Sequence, residues 1–161
     1  ALSRTDMLTA VLISSFAQVP AIFLAASYSD RHGRRGIYKI GALAMAVWGF
    51  CVFPLMDTGS LLAITLALTV GQIFIGMMYG PQAALLTELF STEVRYSGAS
   101  LGYQLGAIVG GGMAPIAATA LIAAFGSAIW VSAYIALASL LTWLSLHLLG
   151  ENHQADLEKV A

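Results

Sequence analysis

The chain has 161 residues, of which 59% are hydrophobic and only 9% are charged, and its net charge is −1. A soluble domain carries about a quarter charged residues, so this chain lacks the charge to cover a water-facing surface. It offers no basic face for nucleic acid, and its single cysteine, Cys51, excludes an intrachain disulfide. The composition predicts an integral membrane protein that lies in a lipid bilayer.

Five apolar runs are long enough to cross a membrane, because about 20 helical residues span a hydrocarbon core of about 30 Å. The predicted spans are 7–27, 38–56, 61–86, 99–124 and 129–149. Short connections make neighbouring spans antiparallel. We therefore predict an all-α, polytopic helix bundle over residues 1–150, followed by a tail over residues 151–161.

The basic residues predict the orientation, because Lys and Arg are enriched in cytoplasmic loops. Six of the seven fall on one side of a five-helix serpentine, and only Arg4 falls on the other. We expect that side, with the C-terminus, to be cytoplasmic and the membrane to be a bacterial inner (plasma) membrane. The six residues are Arg31, Arg34, Arg35, Lys39, Arg95 and Lys159.

The first connection, DRHGRR over residues 30–35, concentrates charge between two apolar runs. Gly33 permits the positive φ that a tight two-helix turn needs. Asp30 can pair with an arginine, which would form a latch that breaks as the protein moves. The alternative is a basic anchor beside anionic headgroups. We favour the latch for Asp30, and both roles stay open for Arg34 and Arg35.

The third connection, ELFSTEVRYSG over residues 88–98, adds Glu88 and Arg95, which can form ion pairs with the first connection. Ordinary headgroup solvation of both residues is the alternative. The predicted cytoplasmic gating set is Asp30, Arg31, Gly33, Arg34, Arg35, Glu88 and Arg95.

Both connections resemble loop motifs of the major facilitator superfamily, G-x-x-x-D-R-x-G-R-R/K and E-x-F-P-T-x-x-R-x-x-G. The chain departs from them at Ala26 and Ser91, where the motifs have Gly and Pro. The run that follows, GASLGYQLGAIVGGGMAP over 98–115, is similar to helix eleven of metabolite:proton symporters, nearest to shikimate-type carriers. The resemblance covers the whole chain as helices eight to twelve of a twelve-helix fold.

The resemblance implies a secondary transporter that moves a small polar metabolite, an organic acid or a zwitterion, with protons by alternating access. It also implies a partner, the missing N-terminal half of the carrier. An odd helix count and a start at Ala1 rather than Met agree with a fragment. We expect no cofactor, no metal and no enzyme activity, because no catalytic constellation is present in the sequence.

Four glycines repeat every fourth residue along the fourth span and predict a face for close helix packing. Static packing and a face along which helices slide remain alternatives. The glycines are Gly98, Gly102, Gly106 and Gly110.

Polar side chains inside the spans are candidates for the substrate cavity, because they are costly in lipid and face protein or water. Plain interhelical hydrogen bonding is the alternative, and for Gln18 the alternative is a hydrogen bond to the carbonyl that Pro20 leaves free. In the resembled family the third span would be helix ten, which lines the substrate path. The candidates are Gln18, Gln72, Tyr79, Tyr103 and Gln104.

The spans hold no acidic residue at depth, and His147, near the end of the last span, suits an interfacial position better than a proton relay. We therefore expect the proton-coupling residue outside this chain. A second hypothesis is a free-standing five-helix scaffold that docks a partner helix on the glycine face. A channel is a weaker third one, since no ring of charges or hydrophilic pore-lining helix is visible.

Overall fold

The computed structural model describes residues 3–149 as helices joined by short turns. The predicted tail, with Lys159, lies outside the described residues. The elements are α1 (Arg4–His32), α2 (Arg34–Asp57), α3 (Leu61–Glu88), α4 (Arg95–Gly106), a π-helical segment (Ala107–Gly112), α5 (Met113–Phe125) and α6 (Ile129–Leu148). The stretch from α4 to α5 forms one long rod, so five helices are long and apolar enough to cross a membrane. The predicted all-α bundle of five spans is confirmed.

The helix ends follow from capping chemistry in the sequence. The hydroxyl of Ser3 accepts a hydrogen bond from the backbone N–H of Asp6, whose carboxylate accepts from the N–H of Ser3 in return. This reciprocal cap satisfies donors that the first helical turn leaves free. Gly33 separates α1 from α2 with φ of 93°, a conformation that side chains disfavour. The positive φ predicted for this turn is confirmed.

The helix α3 lies at the centre of the described bundle, against both α1 and α2. Its contact with α1 depends on Gly76 and Gly80, one turn apart. A methyl group built at Gly76 would lie 2.8 Å from Cβ of Ala21, and one at Gly80 would lie 2.7 Å from the carbonyl oxygen of Ile22. Only glycine allows the two backbones to come this close. The close approach increases dispersion contacts, which matter because the hydrophobic effect does not drive helices together in lipid.

The helix α2 joins this core to α6. The indole N–H of Trp48 donates to the carbonyl oxygen of Ala67 on α3 over 3.0 Å. On another face of α2, a methyl group built at Gly49 would lie 3.2 Å from the side chain of Ile135 on α6. Trp48 thus links α2 to α3 by a hydrogen bond.

The rod from α4 to α5 contacts the rest of the described chain only near its ends, α4 against α3 and α5 against α6, and none of its residues is buried. Its π-helical segment includes three consecutive glycines, residues 110–112, and ends three residues before Pro115. Pro115 has no N–H to donate to the carbonyl four residues earlier, and the glycines have no side chains that resist a wider turn. The break in the α-helix therefore has a local cause.

We predict that Gly80→Ala lowers the free energy of unfolding in detergent by about 1–3 kcal/mol, because the added methyl group overpacks the contact with α1. Gly36→Ala is the matched control, since nothing lies within 4 Å of a methyl group there, and Ala favours a helix. The measurement is reversible unfolding followed by circular dichroism. Equal stability of the two variants would contradict the close approach.

Candidate functional site

Two of the predicted polar residues meet between α3 and α4. The hydroxyl oxygens of Tyr79 and Tyr103 lie 3.4 Å apart, and either hydroxyl can donate. Both side chains remain close to half exposed, at 49% and 44%. The pair therefore joins the rod to the core of the bundle while both tyrosines stay partly exposed.

The three predicted glutamines do not join this pair. Gln72 precedes Tyr79 by seven residues, two helical turns, and so lies on the same side of α3. Gln104 adjoins Tyr103 and is exposed. Gln18 lies beside the contact between α1 and α3, with its backbone carbonyl oxygen 3.2 Å from a methyl group built at Gly76. None of the three amide side chains has a hydrogen-bond partner within residues 3–149.

A cluster of charged side chains ties three helix ends together at the basic side of the bundle. Arg34, at the start of α2, donates to the carboxylate of Asp30 on α1 over 2.8 Å and to that of Glu88 on α3 over 2.5 Å. The side chain of Arg34 is 24% exposed, whereas those of Asp30 and Glu88 are 61% and 42% exposed. One guanidinium thus bridges two carboxylates, an arrangement for which its planar set of donors is suited.

Arg35 has a role that the sequence analysis missed. Its guanidinium is buried and donates to the carbonyl oxygen of Leu149, just beyond the end of α6. The last carbonyls of a helix lack partners within the helix, and the negative end of its dipole favours a cation. The position of Arg35 in a basic loop does not predict this hydrogen bond, because the partner carbonyl lies more than a hundred residues away in the sequence.

Two other members of the predicted gating set lie outside the cluster. The guanidinium of Arg95 donates to the carbonyl oxygen of Phe90 over 3.4 Å, within its own connection. Neither Arg95 nor Arg31 forms an ion pair in the part of the chain that the structure describes. Within residues 3–149, an ion pair with the first connection therefore forms for Glu88 and not for Arg95.

The glycine face of the rod has no partner among residues 3–149. A methyl group built at Gly102, Gly106 or Gly110 would have nothing within 4 Å, whereas one at Gly98 would meet the ring of Phe90. The close packing predicted for this face therefore remains a prediction. Packing of this kind occurs instead at Gly76 and Gly80, which the sequence analysis did not single out for it.

Comparison with known proteins gives one consistent family. Residues 1–159 match the model of the Major Facilitator Superfamily. A metabolite transport protein of Haemophilus influenzae is 38% identical over 150 residues, which cover 93% of this chain and 34% of that protein. The shikimate transporter of Escherichia coli is 33% identical over 129 residues, 79% of this chain and 30% of that protein.

A citrate-proton symporter of Klebsiella pneumoniae is also 33% identical, over 122 residues that cover 75% of this chain and 28% of that protein. The chain spans about a third of the length of the curated relatives it matches. No solved structure matches the chain. The resemblance seen in the loop motifs and the glycine-rich run is confirmed.

We predict that Glu88→Gln lowers the free energy of unfolding by about 0.2–1 kcal/mol, the range of exposed ion pairs. The loss shrinks at high salt, because salt screens exposed charges. Glu93→Gln, an exposed carboxylate outside the cluster, is the matched control. Unfolding is measured in detergent at low and high salt, and a loss independent of salt would contradict the ionic contact.

Proposed function

The chain belongs to the Major Facilitator Superfamily, and from this membership we propose that it forms helices eight to twelve of a secondary transporter for a small polar metabolite. One observation carries the proposal. The family match extends along almost the whole chain, while the relatives are about three times as long. The remaining helices then come from the N-terminal part of the same carrier, and this segment supplies one wall of the transport route.

The substrate we propose is an organic acid or a zwitterion, bound in part by Tyr79 and Tyr103. Relatives include a shikimate transporter and a citrate-proton symporter, and both names denote carboxylate substrates. Hydroxyl and amide groups can hydrogen-bond to carboxylates and hydroxyls, and Gln72 faces the same side of α3 as Tyr79. We place Gln18 and Gln104 at the margin of this site.

Proton coupling is the second part of the proposal, and we assign its titrating group to the absent N-terminal part. A proton-coupled carrier needs an ionisable group inside the membrane. The acidic residues among residues 3–149 all lie at helix ends or in connections. They are Asp6, Asp30, Asp57, Glu88 and Glu93.

The proposed carrier moves its substrate by alternating access across a bacterial inner membrane, with the basic connections on the cytoplasmic side. The ion cluster around Arg34 links α1, α2 and α3 through contacts of 2.8 and 2.5 Å, which suits a latch that holds this side closed. The unpartnered glycine face of the rod then packs against, or slides along, helices of the N-terminal part. A carrier of this kind carries out no covalent chemistry and needs no cofactor or metal.

We predict that Tyr79→Phe raises KM for the transported acid about three- to tenfold, the equivalent of one hydrogen bond of about 1 kcal/mol. Tyr134→Phe on α6 is the matched control and leaves KM unchanged. The measurement is uptake of labelled shikimate, citrate and proline into cells that express the full coding sequence, with and without a protonophore. A Tyr79→Phe variant with wild-type KM for every transported compound would argue against this site.

We also predict that the 161-residue chain alone, reconstituted in liposomes, does not accumulate any of these compounds against a gradient. Alternating access requires two halves that move against each other. Liposomes that contain the product of the full coding sequence are the positive control. Robust gradient-driven accumulation by the short chain would refute the proposal that it is one part of a carrier.

A further inference from the structure

We propose that the apolar groove between α1, α2 and α3 holds one acyl chain of an anionic phospholipid, with the lipid phosphate at Arg31 and His32. The groove has a volume of about 670 Å³, within the size range of small-molecule sites. Its walls are hydrocarbon and thioether side chains except for Tyr28. They include Leu24 of α1, Ile37 of α2 and Met77 of α3.

The groove is separate from the polar site on α3. At about 100° per residue, Ile73 and Met77 lie about 130° around the axis of α3 from Gln72 and Tyr79. The contact with α1 at Gly76 separates the two sides. A molecule in the groove therefore faces away from the tyrosine pair and the rod, and it can bind while the polar site is occupied.

The length of the groove favours an acyl chain over another helix. Its lining on α1 extends from Ala17 to Tyr28, which is about 17 Å at 1.5 Å per residue. One leaflet of the hydrocarbon core is about 15 Å thick, half of about 30 Å. A packed transmembrane helix would need a groove that continues across both leaflets, whereas this one ends at the helix end that carries the basic connection.

Charge at that end selects an anionic headgroup. Arg31 and His32 follow Tyr28 by three and four residues, so they continue the groove-lining face of α1 by one turn. The imidazole of His32 stacks on the ring of Tyr28 with centroids 4.4 Å apart. Arg34 already binds two carboxylates and Arg35 a carbonyl, whereas Arg31 is exposed and forms no ion pair within residues 3–149.

The nearest carboxylate on α1 does not compete for this end of the groove. Asp30 lies about 150° around the helix from the groove-lining face, and its carboxylate is bound to Arg34. A phosphate beside Arg31 therefore meets positive charge without an acidic neighbour from the same helix. Arginine near a membrane surface attracts anionic lipid in this way.

The test is native mass spectrometry of the protein purified from its full coding sequence and titrated with phosphatidylglycerol or phosphatidylcholine. We expect wild type to retain phosphatidylglycerol in preference to phosphatidylcholine. Arg31→Gln should lower that preference about fivefold, the effect of one basic residue near the surface. Arg4→Gln, at the opposite end of the same helix, should leave it unchanged.

A second pair of variants tests the groove itself. Ala17→Phe fills the groove and should lower retention of both lipids, whereas Ala138→Phe on the exposed face of α6 should not. Unchanged lipid retention in Ala17→Phe would overturn the proposal. So would an unchanged headgroup preference in Arg31→Gln, or a stability loss in Ala17→Phe without lipid loss, which would indicate that another helix fills the groove.

Discussion

The close approach of α1 and α3 at Gly76 and Gly80 sets the arrangement of the other features. A methyl group at either position would lie less than 3 Å from atoms of α1, so the two backbones meet with almost nothing between them. Helices in lipid gain little from burying apolar surface, and close backbone packing supplies dispersion energy instead. Once α3 is fixed against α1, its polar side and its groove side are both determined.

One side of α3 is then polar and the other is apolar. One presents Tyr79, with its hydroxyl 3.4 Å from that of Tyr103, toward the rod and the region where we place the substrate. The other presents Ile73 and Met77 to the lipid groove. At the basic end, Arg34 joins α1, α2 and α3 through two carboxylates. A change in this cluster can therefore alter the relative position of three helices without contact with the substrate.

Local chemistry allowed the sequence to predict the helices and the first turn. Apolar length determines the spans, and Gly33 is the residue that a positive φ requires. Which small residues pack together was not predictable, because Gly76 and Gly80 have the same spacing as Gly106 and Gly110. Only a partner backbone distinguishes the two pairs. In the same way, five polar residues were candidates for the site, and which two of them meet depends on how α3 and α4 are placed.

The central claim is that the Tyr79 side of α3 faces a water-accessible route and the opposite side faces lipid. The most direct test is labelling of single cysteines by a membrane-impermeant thiol reagent in native membranes, in a cysteine-free background of the full coding sequence that includes Cys51→Ala. We predict that Gln72→Cys is labelled, that substrate protects it, and that Ile73→Cys stays unlabelled. Labelling of Ile73→Cys, together with no labelling of Gln72→Cys in the absence of substrate, would contradict the account.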